Sequence, residues 1–152
     1  MNIATHIARA EEKHVNEVAR LFDLYRQFYE CQPDLKHAHR FIGERIKQSE
    51  SIIFIATDKD ETGLGFVQMY PSFCSVEATK ILILYDLYVD AGARKAGVGE
   101  ALMNRATQYA KDSGATRLDL LTAFTNTAGQ ALYEKLGYIK ANEDFHAYSL
   151  NL

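Results

Sequence analysis

A glycine-containing segment from Arg94 to Gly99 is the part of the sequence best suited to bind an anion. It follows an apolar, β-branched run and opens a stretch with helical periodicity, so a strand leads into a loop and then a helix. The first N–H groups of a helix lack partners within it and lie at the positive end of its dipole. They therefore bind phosphate well, and glycine lets the backbone approach closely. With Arg94 and Lys95 nearby, the segment predicts a phosphate or pyrophosphate site.

Two common phosphate-binding patterns do not match this segment. A dinucleotide-binding loop would need another glycine three residues after Gly99, where the chain has Leu102. An ATP- or GTP-binding P-loop would need lysine and then serine or threonine directly after a glycine. The segment instead reads Arg-x-x-Gly-x-Gly, from Arg94 through Gly97 to Gly99.

Together with a second motif, this pattern resembles the GNAT superfamily of N-acetyltransferases. The loop lies between a strand ending Leu-Tyr-Val and an amphipathic helix, and is similar to that superfamily's acetyl-CoA pyrophosphate loop. Residues 126–138, Asn-Thr-Ala-Gly-Gln-Ala-Leu-Tyr-Glu-Lys-Leu-Gly-Tyr, resemble its later motif. Residues 25–29, 70–73 and 85–89 further resemble bacterial members of the histone and polyamine acetyltransferase branch.

The resemblance implies that the chain binds acetyl-CoA. The residues that would hold its pyrophosphate are Arg94, Lys95, Ala96, Gly97, Val98 and Gly99. Backbone groups of Leu87 and Val89 would pair with the pantetheine arm, and Asn126 would contact nearby cofactor atoms. Asparagine is also a preferred helix N-cap, and Asn126 could fill both roles.

The implied reaction is direct attack of an amine on the thioester, with no covalent enzyme intermediate. Cys31 and Cys74 are therefore not needed as nucleophiles. A lysine-like amine has a pKa of about 10.4, so on the order of one molecule in a thousand is neutral at pH 7. Binding must select the neutral amine, or a base must remove its proton directly or through water. The acceptor is expected to be a small amine, a protein lysine or a protein N-terminus.

Two side chains are candidates for the proton transfers. Asp86 is a carboxylate in a mainly apolar strand, where carboxylates are uncommon unless paired, and where burial raises their pKa. It is either the general base or a structural residue bonded to a backbone group or a helix end. Tyr133 matches the tyrosine that points at the cofactor sulfur in the superfamily, where it would protonate the departing thiolate. Periodicity alone predicts only a core tyrosine at this position.

Aromatic residues of the first helix and of the hairpin are expected to recognise the acceptor, because aromatic rings bind cations. These residues are Tyr25, Tyr29, Tyr70 and Phe73. Ordinary core packing is the alternative for each of them.

The elements that would position these residues follow the order β α α β β β α β α β β. Strands are predicted at residues 3–9, 51–57, 64–70, 80–89, 117–122, 138–141 and 145–150, and helices at 15–31, 35–46, 98–110 and 126–136. On the strand at 80–89, alternation places Asp86 and Tyr88 on one face and Tyr85 and Leu87 on the other. Gly114 is predicted to end the third helix.

This order predicts a single α/β (α+β) domain over residues 1–152. Its sheet would be mixed and mostly antiparallel, with about seven strands flanked by about four helices. The net charge of −3 gives no basic footprint for nucleic acid, and no apolar run is long enough to span a membrane. We see no signal peptide and no metal-ligand spacing, and we expect both cysteines to be buried free thiols. These features are typical of a cytoplasmic protein.

Two other functions compete with the enzyme. One is a non-catalytic acyl-CoA sensor on the same fold, and the other is a nucleotide-binding protein that uses the glycine loop. The resemblance also implies a possible homodimer through the late strands.

Overall fold

The structure, a computed structural model, describes residues 5–141 and 143–152. The chain divides into two compact units, Met1–Leu121 and Thr122–Leu152. The strands are β1 (His6–Arg9), β2 (Ile52–Thr57), β3 (Gly63–Cys74), β4 (Thr79–Val89) and β5 (Leu118–Leu120). The α-helices are α1 (Val15–Phe28), α2 (Leu35–Lys47), α3 (Val98–Asp112) and α4 (Thr127–Lys135). The predicted mixed α/β class with four helices is confirmed.

The first unit contains one five-stranded sheet in the order β1-β2-β3-β4-β5. The first four strands pair antiparallel, and β5 pairs with β4 in parallel. Strands β2 and β3 form the predicted hairpin. Asp58 stabilises its turn, since its Oδ1 accepts hydrogen bonds from the backbone N–H groups of Asp60 and Thr62 at 2.8 and 3.0 Å.

Helices cover both faces of this sheet. On one face, α1 and α2 place Leu21, Phe22 and Ile42 against Ile53 and Phe66 of the sheet. On the other face, α3 approaches β3 and β2. A methyl group added at Gly65 would lie 3.3 Å from the Leu102 side chain, and the rings of Tyr109 and Phe54 are 5.8 Å apart. Neighbouring residues of β2, such as Ile53 and Phe54, therefore point to opposite helix layers.

Strand β3 extends four residues past its predicted end at Tyr70. The prediction stops there because Pro71 has no N–H group to donate to a neighbouring strand. Strand β2 reaches only as far as the pair Ile52–Met69, so residues 70–74 pair with β4 alone. Pro71 thus lies where β3 has become an edge strand, which tolerates proline.

A β-bulge in β4 overturns part of the predicted alternation. Gln68 pairs with Asp86, but Met69 pairs with Leu84, which leaves Tyr85 as an extra residue. Such a residue re-aims the side chains around it. Asp86 and Tyr88 share one face as predicted, and this is the face that α1 and α2 cover. Tyr85, expected on the other face, lines the same cavity as Asp86.

The second unit contains α4, which begins after Asn126 and ends before Gly137, close to the predicted bounds. Gly137 has a positive φ of 91°, and the N–H of Tyr138 returns to the carbonyl of Tyr133 at 3.0 Å. These are features of a glycine-terminated helix.

The two strands predicted after α4 are wrong. Among the described residues, neither 138–141 nor 145–150 contains a strand, so the sheet has five strands and not seven. Phe145, Tyr148 and Leu150 are typical strand residues, but they are between 81% and 91% exposed. The residue types of a segment show that it could form a strand, but a strand also needs a neighbouring strand with which to pair, and the sequence pattern does not reveal one.

Three smaller predictions have different outcomes. Cys31 was expected to be buried, but it is exposed because it follows the last turn of α1, and Cys74 is only partly buried. Gly114 follows the end of α3 with a φ of 80°, as predicted for a terminating glycine. The first strand begins at His6, and residues 3 and 4 of its predicted span lie outside the described residues.

None of the helices in the described part has the length and apolar character needed to cross a bilayer.

Candidate active site

Asp86 lies at the centre of a buried hydrogen-bonded group on β4. It is 3% exposed, and its neighbour Gln68 on β3 is fully buried. Ser51 Oγ donates to Gln68 Oε1 at 2.7 Å, and Gln68 Nε2 donates to Asp86 Oδ2. The Tyr25 hydroxyl also contacts the Asp86 carboxyl. The partners found for Asp86 are therefore side chains, whereas the structural alternative called for a backbone group or a helix end.

Burial raises the pKa of Asp86 above its ordinary value, because the charged carboxylate is removed from water. Hydrogen bonds from Gln68 and Tyr25 act in the opposite direction, since both favour the ionised form. The burial effect is the larger of the two. A carboxylate with a raised pKa takes up a proton more readily, which is the property required of a general base.

Asp86 opens onto a cavity of about 500 Å³ between the sheet and the first two helices. This volume falls within the range of small-molecule sites. Its aromatic walls come from α1, α2, β3 and β4, and consist of Phe22, Tyr25, Phe41, Tyr70 and Tyr85. Its charged lining residues are Asp86, Arg26 and Arg45. The cavity therefore combines an apolar wall with a few polar groups.

Two of the lining tyrosines remain neutral at physiological pH. Burial raises the pKa of Tyr25 well above its ordinary value, and the nearby Asp86 carboxylate raises it further. The same two causes raise the pKa of Tyr70 to about 12. Both hydroxyls consequently act as hydrogen-bond donors rather than as bases, and the Tyr25 hydroxyl already lies 3.3 Å from the Tyr85 carbonyl.

Beyond Leu84, one edge of β4 is open. Strand β5 pairs with β4 only through Leu82–Leu84, and no strand of the described chain pairs with residues 85–89 on that edge. An extended chain that carries amide groups pairs with such an edge through main-chain hydrogen bonds. The predicted pantetheine contacts, Leu87 and Val89, belong to this stretch.

The loop that follows β4 has the backbone shape expected of an anion site. A short 3₁₀ turn, Ala91–Ala93, leads to Lys95 with a φ of 63° and Gly97 with a φ of 81°. Gly97 occupies the N-cap of α3 and has no side chain with which to cap this end. The first intrahelical bond runs from Ala101 N–H to the Gly97 carbonyl, so the amides before Ala101 have no partner within the helix.

Two arginines hold the start of this loop, where β4 ends. Arg94 Nε donates to the Val89 carbonyl at 3.0 Å, so Arg94 lies across the end of β4. Arg20 of α1 donates to Asp90 Oδ2 at 3.0 Å and to the Gly63 carbonyl at 2.8 Å. The start of the loop is thus tied to the helix that supplies Tyr25.

The second unit carries the remaining predicted residues, Asn126 and Tyr133. Asn126 caps α4, because its Oδ1 accepts from the Gly129 N–H at 3.1 Å while its Nδ2 donates to Thr122 Oγ1 at 3.0 Å. This is the capping role that residue type predicts. Tyr133 is buried on α4, with its ring centre 6.0 Å from that of Tyr138.

The four predicted acceptor contacts do not all meet. Tyr25 and Tyr70 line the cavity. Tyr29 does not line it, but stacks edge-on against Tyr25 with the ring centres 5.1 Å apart. Phe73 lies farther along β3, paired with Lys80, and is 76% exposed. Whether any of them binds the acceptor stays a prediction.

Sequence reasoning missed several polar residues of the site: Ser51, Gln68, Arg26 and Arg45. Gln68 interrupts an apolar strand just as Asp86 does, so the same signal identifies it. Arg45 follows the apolar spacing of the second helix, and Arg26 lies four residues after Phe22, so both occur on the apolar sides of their helices.

The mixed sheet and the glycine loop that leads into a helix have the arrangement that the sequence motifs predicted. Residues 18–138 match the acetyltransferase (GNAT) family, and the chain belongs to this family. It is 39% identical over 147 residues to the uncharacterized N-acetyltransferase YhfO of Bacillus subtilis, covering 97% of each chain. It is 28% identical over 110 residues to a probable acetyltransferase of Haemophilus influenzae, covering 72% of this chain and 75% of that protein. A crystal structure of a probable acetyltransferase matches with a TM-score of 0.88 and 34% identity, covering 97% of both chains. Membership of the family implies acetyl transfer.

Proposed function

We propose that this protein is an acetyl-CoA-dependent N-acetyltransferase whose acceptor is a primary amine. The observation that carries the proposal is the buried Asp86 carboxylate on the wall of a cavity of substrate size. Acetyl-CoA supplies the thioester carbonyl that the amine attacks. The acceptor is a small molecule or the lysine or N-terminus of a protein, and the reaction forms no bond to the enzyme.

The chain's own residues fit coenzyme A at two places. The open edge of β4 at Leu87 and Val89 suits the amides of the pantetheine arm. The loop Arg94–Gly99 suits the pyrophosphate, because the first amides of α3 have no partner within the helix and Gly97, at the N-cap, has no side chain in the way of the anion. Asn126 is proposed to contact the cofactor through the second N–H of its Nδ2 group, since the first donates to Thr122 and its Oδ1 caps α4.

Asp86 is proposed as the general base. It receives the proton that the attacking nitrogen loses, directly or through one water molecule, and Gln68 and Tyr25 keep the carboxylate oriented. Tyr133 is proposed as the acid that protonates the departing thiolate. A thiol has a pKa of about 8.5 and a tyrosine about 10, so this transfer is close to balanced.

The proposal is tested by thermal unfolding with acetyl-CoA, coenzyme A and ATP, followed by thiol release with a panel of amines. A ligand at one hundred times its Kd adds about 2.7 kcal/mol, which raises the Tm by about 5 to 10 °C. We expect this shift with acetyl-CoA and coenzyme A but not with ATP. Binding of acetyl-CoA without turnover of any amine would favour the acyl-CoA sensor. A shift with ATP alone would favour the nucleotide-binding protein.

The role of Tyr133 has its own test. Tyr133→Phe removes one hydroxyl, and we expect kcat to fall about 10²-fold, as is usual for a positioned acid. The Kd for coenzyme A should stay near that of the unchanged protein. Tyr109→Phe on α3 makes the same chemical change away from the proposed machinery and serves as the control. An unchanged kcat in Tyr133→Phe would remove the acid role.

A further inference from the structure

Arg26 brings an uncompensated positive charge to the cavity. Its guanidinium lines the cavity from α1, and its Nη1 atom is buried without a hydrogen-bond partner among the described residues. It forms no ion pair with a described carboxylate. Arg26 as a whole is half-buried, but its Nη1 donor is withdrawn from water without a partner, which is unfavourable. An anionic oxygen is the acceptor that satisfies a guanidinium donor best.

Arg45, the second lining arginine, differs because its charge is already compensated. Its Nε lies 2.7 Å from Glu50 and its Nη2 lies 3.3 Å from Glu44. Its guanidinium also stacks over the Phe41 ring at 4.5 Å. Arg45 Nε, like Arg26 Nη1, is buried without a well-aligned hydrogen bond, but Glu44 and Glu50 compensate the charge of Arg45. Arg26 is therefore the lining arginine whose charge has no carboxylate partner among the described residues.

The Asp86 carboxylate does not supply the missing partner. Its contacts are with Gln68 and Tyr25, and neither arginine forms an ion pair with it in the described part of the chain. The cavity thus holds a carboxylate and an unpaired guanidinium as separate groups, with aromatic rings in the same wall. A ligand that satisfies both must carry an amine and an anionic group on one small, partly apolar body.

We propose that the acceptor is a small amino acid-like molecule whose free carboxylate binds Arg26 while its amine faces Asp86. This inference rests on the proposed acetyl transfer and narrows its acceptor class. A polyamine fits less well, because it would place a second positive charge in a cavity that already holds two guanidinium groups. A protein lysine or N-terminus fits less well, because neither carries a carboxylate beside its amine.

The test compares phenylalanine, phenylalaninamide, phenethylamine and spermidine as acceptors in the thiol-release assay. The first three share an aromatic body and differ in the carboxylate. A charge-assisted hydrogen bond at a buried site corresponds to about a tenfold to hundredfold effect, so phenylalanine should exceed its amide by that factor in kcat/KM. Arg26→Gln should remove the preference by slowing phenylalanine and leaving the amide unchanged. Arg40→Gln makes the same charge change on the exposed side of α2 and should keep the preference.

A binding measurement separates this inference from the proposed reaction. Titration calorimetry with N-acetylphenylalanine and its amide reports the carboxylate preference without any turnover, in the unchanged protein and in Arg26→Gln. A carboxylate preference that Arg26→Gln abolishes, without turnover of any amine, would support the acceptor class and count against the acetyl transfer. Turnover of phenethylamine or spermidine at least as fast as phenylalanine, unchanged by Arg26→Gln, would overturn the acceptor class and leave the acetyl transfer standing. Melting curves confirm that each variant is folded.

Discussion

The two faces of the central sheet are built by the same strands but differ in what they bury. Under α3 the buried side chains are apolar, such as Phe54, Val67, Leu102 and Met103. Under α1 and α2 an apolar cluster borders Ser51, Gln68 and Asp86, and a cavity replaces tight packing. These polar groups are hydrogen-bonded to one another, but burial still disfavours the ionised form of Asp86 and raises its pKa. At neutral pH the second face therefore stabilises the fold less than the first.

The contrast between the two faces indicates where this fold can accommodate a ligand-binding site. On a closely packed face, the removal of even one methyl group lowers the free energy of unfolding, whereas a face with a polar group and a cavity has room for a ligand. The bulge at Tyr85 belongs to the second face and turns this tyrosine toward the cavity. We therefore expect substitutions on the two faces to affect activity and stability in opposite ways.

The largest effect is expected from Asp86→Asn, which should reduce kcat by about 10² to 10⁴ if Asp86 is the general base. The same change should raise the Tm at pH 7. A carboxyl group whose pKa is raised in the folded state stabilises it fully below the ordinary pKa of 3.8, and this stabilisation is lost as the pH rises through the folded pKa. The gain in Tm should disappear near pH 3, where the unchanged protein is also protonated. A variant with normal kcat would show that the carboxylate is structural.

The next effect concerns the α3 face. Phe54→Ala removes a fully buried ring, and we expect the free energy of unfolding to fall by about 3 to 5 kcal/mol. Because Phe54 lies on β2 and faces away from the cavity, kcat per folded molecule should stay unchanged. Urea denaturation combined with an assay below the unfolding transition measures both quantities. A fall in kcat as large as that expected for Asp86→Asn would contradict the conclusion that the α3 face contributes to stability and not to catalysis.

The sequence predicts the order of elements from β1 to α4 because these segments have strong periodicity and clear breakers. Pro33 separates α1 from α2, and Gly114 and Gly137 follow the ends of α3 and α4. The late strands fail because neither segment pairs with a strand of the sheet in the described structure. The same limit hides the bulge at Tyr85, which depends on how two strands pair and not on the composition of either one.

The candidate site is predictable where residue type conflicts with its surroundings. A carboxylate in an apolar strand identifies Asp86, and an amide in an apolar strand would identify Gln68 in the same way. Arg26 gives a weaker signal of the same kind, because it lies four residues after Phe22 and three before Tyr29, on the apolar side of the helix. Its place in the site comes from the packing of α1 on the sheet, which leaves its Nη1 atom without a partner among the described residues.

The smallest expected effect tests how the polar groups of the second face depend on one another. Gln68 presents Nε2 to Asp86 because its Oε1 accepts from Ser51 Oγ, and this orientation favours the ionised carboxylate. Ser51→Ala removes the donor, so the amide is free to turn and present its oxygen, which instead favours protonated Asp86. We expect kcat/KM at pH 7 to fall about fivefold, the size of one neutral hydrogen bond.

The pH profile distinguishes this effect from a general loss of packing. The acidic limb of kcat/KM should move to higher pH in Ser51→Ala, and activity should recover at high pH, where Asp86 is ionised whichever way the amide points. The groups that face Asp86 from the neighbouring elements are Gln68 and Tyr70 of β3, Tyr25 and Arg26 of α1, Arg45 of α2 and Tyr85 of β4. Ser51→Thr keeps the hydroxyl and should restore the original limb. A uniform loss of activity at every pH would mean that Ser51 supports the strand and not the orientation of Gln68.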